Sequence, residues 1–256
     1  MTNFVINITS DPVCPWCYIG KRRLDKAIAL YQKVYPSGRH DTFTVNWTAY
    51  YLDATAPAKG ISHNERLLQK LATTRSKFNS DLSATDEETK ELAQQLTARL
   101  ASIGRQEGIA FSFRGRIGNT RSAHRAIAYS KTQQPNPDPT FEEGEPEQAS
   151  AQDRFVTALF AAYFEGDADI TSHDALADVA ASVGLDRAAM LAWLDGGDGG
   201  EEVDQEDRSA RARGVQGVPC FMVQNAKVDG AQDVQDFMEL FVKIKEEEQE
   251  QEQRQV

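Results

Sequence analysis

Ser10-Asp11-Pro12-Val13-Cys14-Pro15-Trp16-Cys17-Tyr18-Ile19-Gly20 joins a run of strand formers to the start of a helix. Upstream, Phe4, Val5, Ile6 and Ile8 make residues 3–9 a β-strand, and Asp11-Pro12 stops it. Downstream, Pro15 suits a first helical turn, where a backbone N–H would have had no partner. Ile19, Leu24, Ile28 and Tyr31 then follow one face as far as Tyr35, and Pro36-Ser37-Gly38 ends the helix. Residues 42–48, Thr-Phe-Thr-Val-Asn-Trp-Thr, read as a second strand, so the chain opens β–α–β.

From residue 54 the pattern becomes helical. Residues 62–72, 85–107, 150–165, 172–183 and 186–194 read as helices, and another begins near Asn119-Thr120. Residues 132–149 hold three prolines and then an acidic cluster, the composition of a flexible exposed insertion. Gly196-Gly197-Asp198-Gly199-Gly200 reads as a hinge-like loop, and a charged helix follows to about Arg213. Strand character returns at 218–224 and at Lys227-Val228-Asp229 across a turn at Asn225-Ala226, and a final helix covers 232–246. The Glu/Gln-rich residues 247–256 are expected to fray. The two ends complete each other: β–α–β and β–β–α share one mixed sheet, with a helical block inserted between them. The expected fold is therefore α/β, with 1–53 and 204–246 forming a discontinuous sheet domain and 54–203 a large all-helical insertion domain.

Composition narrows the function. The chain has 256 residues, 40% hydrophobic and 26% charged, ordinary for a soluble globular protein. Its net charge of −11 argues against a nucleic-acid partner, which needs a basic face, and disfavours an anionic membrane surface. Met1 to Ile8 has no basic leader and no long apolar run, so a cytoplasmic location is expected. Three cysteines, Cys14, Cys17 and Cys220, are too few for a disulfide scaffold.

The chemistry then falls on Cys14-Pro15-Trp16-Cys17. Disulfide exchange needs a thiolate. Unpaired N–H groups and the dipole at a helix N-terminus favour negative charge, so Cys14 is expected to ionise below an ordinary cysteine. Cys17 is one turn on, within reach to resolve a mixed disulfide formed at Cys14. Pro15 and Trp16 tune the couple. With no histidine between the cysteines it should be less oxidising than a Cys-Pro-His-Cys pair. Two bland readings compete. Half a zinc site would need Cys220 and a histidine, and no second ligand pair has the spacing, so no metal is expected. Inert core cysteines would not need to sit at a strand-to-helix turn.

Gly217-Val218-Pro219 is the second signal, since proline is awkward in a sheet except at a strand's first residue. A cis Val218–Pro219 bond would place it in a tight loop.

The stretch Ser10 to Gly20 resembles the opening of the FrnE-like branch of the DsbA family. Similar blocks follow in order: Gly108-Ile109-Ala110-Phe111, Gly118-Asn119-Thr120, Ala123-His124-Arg125, Leu159 to Phe164, Gly217-Val218-Pro219 and Asp229-Gly230-Ala231-Gln232. The resemblance implies a thioredoxin-like fold with Cys14 as attacking cysteine and Val218-Pro219 as a cis-proline loop that pairs with extended substrate. It also implies that the helix carrying Asn119, Thr120 and His124 borders the cleft, although Asn119 or Thr120 would equally cap that helix and His124 would equally be a core residue. Cys220 departs from the family pattern and is a candidate third thiol, or a small core hydrophobe. The activity implied is thiol–disulfide exchange with protein or small-thiol partners, no tightly bound cofactor, and glutathione as a co-substrate. The oligomeric state is open, a dimer included. The alternative is a glutathione-dependent enzyme resembling kappa-class transferases or 2-hydroxychromene-2-carboxylate isomerases. Those have a serine where this chain has Cys14.

Overall fold

A computed structural model describes residues 1–78, 86–133 and 149–254. The expected flexible segment at 132–149 lies almost wholly outside these. Strand β1 (Asn3–Ser10) runs parallel to β2 (Thr42–Ala49), paired from Asn3↔Thr42 to Ser10↔Ala49. β1 also pairs antiparallel with a strand at Cys220–Val223, which in turn pairs antiparallel with Ala226–Asp229. Those four strands make the main sheet.

Its two faces differ because side chains alternate along a strand. Phe4, Ile6, Ile8, Phe221 and Val223 are fully buried against α1 (Pro15–Val34) and the last helix, Val234–Arg254. Phe4 stacks on Phe43 with ring centroids 4.8 Å apart and meets Phe241 at 5.3 Å. The opposite face carries Asn3, Asn7 and Thr44 in solvent, tied across the strands by side-chain hydrogen bonds such as Asn46 Nδ2 to Asn7 Oδ1.

Between the halves lies the insertion: α2 (His63–Phe78), α3 (Asp86–Gln106), α4 (Arg121–Lys131), α5 (Ala151–Phe164), α6 (His173–Ser182) and α7 (Arg187–Gly196). Ser150, Ser172 and Asp186 cap α5, α6 and α7 with side-chain oxygens, as those residue types do at helix starts. The insertion also contains a two-residue ribbon, β3 (Ile61–Ser62) with β4 (Arg116–Ile117), too short for a pattern to announce. α8 (Gly200–Ala212) leads into the strands already described, β5 (Cys220–Val223) and β6 (Ala226–Asp229), and the final helix is α9.

Three local expectations are corrected. The glycine run is not a hinge: only 197–199 lie outside helices, and Arg125 donates to the carbonyls of Trp193, Leu194 and Asp198. The β5–β6 turn sits at Gln224-Asn225, one residue early, with Gln224 at φ 51°. The C-terminal residues continue α9 to Arg254, where Glu, Gln and Arg are good helix formers.

One joint fixes the insertion to the sheet. Lys21 of α1, nearly fully buried, pairs with Asp153 of α5 at 2.8 Å, and Trp47 Nε1 donates to the same carboxylate at 2.9 Å. The neighbouring Gln152 accepts the Trp47 N–H and donates to the Trp47 carbonyl, closing the free edge of β2 with a side chain. A helix thus takes the place of a further strand, and it holds the insertion over the C-terminal end of β1. Among the described residues no helix is long and apolar enough to cross a membrane.

Candidate active site

β1 ends where Asp11 and Pro12 turn the chain into α1. Cys14 is the N-cap of that helix, with extended backbone at φ −88° and ψ 111°, and Pro15 is its first helical residue. The Cys14 carbonyl accepts the Cys17 N–H at 3.0 Å. Both thiols are free. Cys14 is 4% exposed and Cys17 1%, so Cys14 is the outer sulfur. Burial, and then Cys14 itself, push the Cys17 thiol well above its ordinary value, so Cys17 rests as a protonated thiol. Nearby, Pro15 is half-buried and Trp16 lies open to solvent.

The two ends of the chain meet at this point. The Cys14 Sγ lies 3.5 Å from the carbonyl oxygen of Val218, 204 residues away. The Val218–Pro219 peptide is cis. Pro219 keeps its carbonyl in use by accepting the Gly230 N–H at 2.8 Å. Gly20 lets α1 come this close: a Cβ there would stand 3.0 Å from Phe221 Cζ and 3.2 Å from Pro219 Cγ.

Cys220 lies apart from this pair. Its neighbour Phe221 belongs to the main core with Cys14 and Cys17, whereas Cys220 packs with Tyr50, Ala210 and Val215 on the other side of the sheet. Burial raises its pKa, with the nearby Asp229 adding to the shift.

Asp11 is the site residue that sequence reasoning passed over, having read it only as a strand breaker. It is fully buried. Its Oδ2 accepts the Leu52 N–H at 2.8 Å, its Oδ1 accepts the Val13 N–H at 3.3 Å, and the Thr120 hydroxyl also faces it. One carboxyl therefore ties together the turn before Cys14, the loop after β2 and the start of α4. Burial raises its pKa to about 7 against the lowering pull of those donors. A buried-acid candidate was legible as an Asp closing an apolar strand three residues before a reactive cysteine.

The α4 residues divide. Thr120 is the N-cap residue, but its side chain makes no cap hydrogen bond and is buried towards Asp11. Asn119 does the capping work with Oδ1, accepting the Arg121 N–H at 2.9 Å. His124 is buried with Nε2 making no hydrogen bond, 3.8 Å from Asp11 Oδ1. Burial lowers its pKa to about 4, opposed by a hydrogen bond to the Tyr50 backbone. Thr120 and His124 are thus gathered beneath the Cys14 turn through Asp11, while Asn119 serves the helix.

On the insertion side of Cys14 a pocket of about 210 Å³ is lined by Asp11, Val13, Pro15, Leu52, Leu67, Ile117 and Thr120 among others.

No curated protein matches the chain. Solved structures do. A probable DsbA oxidoreductase from Streptomyces coelicolor is similar over 94% of this chain and 89% of its own, with TM-score 0.69 and 23% identity. A 2-hydroxychromene-2-carboxylate isomerase is similar over 98% of this chain and 99% of its own, with TM-score 0.59 and 18% identity. The cytosolic disulfide reductase DsbM from Pseudomonas aeruginosa covers 93% and 97%, with TM-score 0.51 and 13% identity. At these identities the likeness concerns the fold, which the three share across different chemistries. Residues 5–242 match the model of the DSBA-like thioredoxin domain, and that span takes in Cys14, Cys17, the whole insertion and Val218-Pro219. With the sheet, the inserted helices and the paired cysteines in place, the chain belongs to the DSBA-like thioredoxin domain family.

Proposed function

We propose that this protein is a dithiol–disulfide oxidoreductase in which Cys14 is the nucleophile and Cys17 the resolving cysteine. The observation that carries this reading is the position of Cys14. It is the outer sulfur, at the N-terminus of α1, and Cys17 is a protonated thiol one turn behind it. The Cys14 thiolate attacks one sulfur of a substrate disulfide and the other sulfur leaves as a thiolate, which takes up a proton. Cys17 then loses its proton and attacks Cys14, releasing the second substrate thiol and leaving Cys14 and Cys17 joined. Two electrons pass from the enzyme thiols to the substrate; run backwards, the same steps donate a disulfide. The partners are protein or small-molecule disulfides and thiols, glutathione among them, and the cytoplasm is the compartment in which a reduced pair would act on them.

A reduction potential measured in glutathione buffers, with thiol labelling as readout, tests the reading. A reversible Cys14–Cys17 disulfide that vanishes in Cys14→Ser, together with loss of disulfide turnover, is the expected result. Absence of any reversible disulfide would overturn it. Glutathione conjugation or isomerisation that survives Cys14→Ser would instead favour a non-redox glutathione enzyme.

A further inference from the structure

α4 presents two faces. Thr120 and His124, four residues apart, are gathered towards Asp11. Ser122 lies between them in the chain and about 200° round the helix from either, at about 100° per residue, so it faces away from the cysteine turn and is only partly buried. Its hydroxyl meets His173, the first residue of α6, with Oγ 3.2 Å from Nε2. The other ring nitrogen, Nδ1, lies 2.7 Å from Oδ1 of Asp195 in the last turn of α7. A serine, a histidine and an aspartate from three helices of the insertion thus stand in one hydrogen-bonded line.

The direction of each bond follows from the residue types. A carboxylate only accepts, so the hydrogen sits on Nδ1, and in the neutral ring Nε2 is left with a lone pair. The Ser122 O–H is then the donor, aimed at the atom that would take its proton. Helix ends do not account for these residues: a helix start favours an acid and a helix end a base, whereas α6 starts with His173 and the last turn of α7 carries Asp195. Ser122 also has donors in its own turn. The first N–H groups of a helix have no carbonyl of that helix to bind. Asn119 Oδ1 takes that of Arg121 and the Thr120 side chain caps none, so among the described residues the N–H groups of Ser122 and Ala123 are left for an oxyanion. Arg121 itself grips both oxygens of Asp204. His173 is one-third exposed and Asp195 largely so. An open site that carries a carboxylate, and whose adjacent arginine is engaged, suits a short, uncharged acyl group.

We propose that Ser122, His173 and Asp195 form a second catalytic site, a hydrolase triad for short-chain carboxylic esters, separate from the cysteine pair. The Ser122 Oγ bonds to the acyl carbon as its proton passes to His173 Nε2, and the carbonyl oxygen takes the negative charge, with the Ser122 and Ala123 N–H groups as its donors. The ester C–O bond then breaks, and the alcohol leaves with the proton held on Nε2. Water attacks the acyl-serine by the same route: its proton goes to Nε2 and then to Oγ, and a carboxylic acid departs. Asp195 is a positioning residue, which holds the ring in the tautomer that accepts and balances the charge the ring gains. No electrons are exchanged, so the site works whether Cys14 and Cys17 are reduced or joined, and its failure would leave the oxidoreductase reading untouched.

The test uses the full chain carrying Cys14→Ser and Cys17→Ser, because a cysteine thiol attacks the same esters. The substrate is p-nitrophenyl butyrate, and the probe is a fluorophosphonate, which phosphonylates an activated serine with loss of fluoride. Phosphonylation should fall on Ser122, read by peptide mass, and this arm needs no substitution in the triad. Ester hydrolysis should be lost in Ser122→Ala and should fall about 100-fold or more in His173→Gln, the range for one general base. Asp195→Asn should lower kcat and keep KM, and Asp195→Glu should recover part of the loss. Thermal unfolding confirms that each variant is folded. Without phosphonylation at Ser122, or without hydrolysis that Ser122→Ala removes, the proposal fails. A folded His173→Gln variant labelled at the rate of its parent would overturn the role of the base, and an effect of Asp195→Asn on KM alone would overturn the role given to Asp195.

Discussion

His124 turns an unbonded Nε2 towards Asp11 Oδ1 at 3.8 Å, and burial moves the two groups in opposite directions, the histidine down to about 4 and the carboxyl up to about 7. Between those values the folded protein holds one proton on Asp11 and none on His124. An unfolded chain, with the carboxyl at 3.8 and the histidine at 6.5, holds one proton on His124 and none on Asp11. The count is the same in both states, so the pair gives no slope of stability with pH between about 4 and 6.5.

Single substitutions uncover the hidden slopes. In His124→Gln only Asp11 titrates. The folded state then binds more protons, and stability falls relative to wild type as pH rises from about 4 to 7. In Asp11→Asn only His124 titrates, the unfolded state binds more protons, and stability rises with pH from about 4 to 6.5. Each slope has a limit of about 1.4 kcal/mol per pH unit. Urea denaturation at pH 4.5, 5.5 and 6.5 measures both, and variants parallel to wild type would refute the pairing.

Cys17→Ser removes the resolving thiol and keeps the nucleophile. Incubated with a peptide disulfide, this variant should accumulate a mixed disulfide between Cys14 and the peptide, seen by intact mass and cleared by reductant. Wild type should show it only transiently. A Cys17→Ser enzyme that turns over at the wild-type rate would exclude the resolving role.

Gly20 is where α1 packs tightly against Pro219 and Phe221. In Gly20→Val the added methyls would press on Phe221 and Pro219. A loss of about 1–3 kcal/mol in stability is expected, as for overpacked cores. Disulfide turnover should fall with it, because the loop behind Cys14 must move. Equilibrium denaturation and kcat/KM on one preparation check the two together.

Asp153→Ala leaves Lys21 buried with only Asp25, at 2.5 Å, for charge partner, and strips Trp47 Nε1 of its acceptor. A cost of about 3–5 kcal/mol is expected, the range for one half of a buried ion pair. Asp153→Asn keeps an acceptor for Trp47 and should lose less. Similar melting of the two variants would show that the lost charge, common to both, sets the cost and that the Trp47 acceptor adds little to it.

The sequence made the sheet legible because its strands alternate and its turns carry proline, glycine and asparagine. Val218-Pro219 cut β5 back from the expected 218–224 to Cys220–Val223, since Pro219 brings no ladder donor. The reactive pair was legible too, because a Cys-x-x-Cys at a strand-to-helix turn has few other uses. What sequence hid was depth. Asp11 looked like a turn residue, and only the fold shows it closed beneath Leu52 and Thr120. The glycine run at 196–200 looked loose, because the Arg125 side chain that clamps it comes from a helix some 70 residues earlier. The pocket likewise draws its walls from α1, the loop after β2, α2 and β4, a convergence that no local pattern displays.

The 204 residues between Cys14 and the Val218 carbonyl also set a schedule for the protein's birth. A ribosome adding about 5–20 residues per second needs roughly 10–40 s to travel from one to the other. Throughout that interval the thiols of Cys14 and Cys17 are already made, while β5 and the loop that backs Cys14 are not. The nascent chain thus carries its reactive sulfurs ahead of their shelter, and it depends on the redox state of the surrounding medium until its last strands arrive.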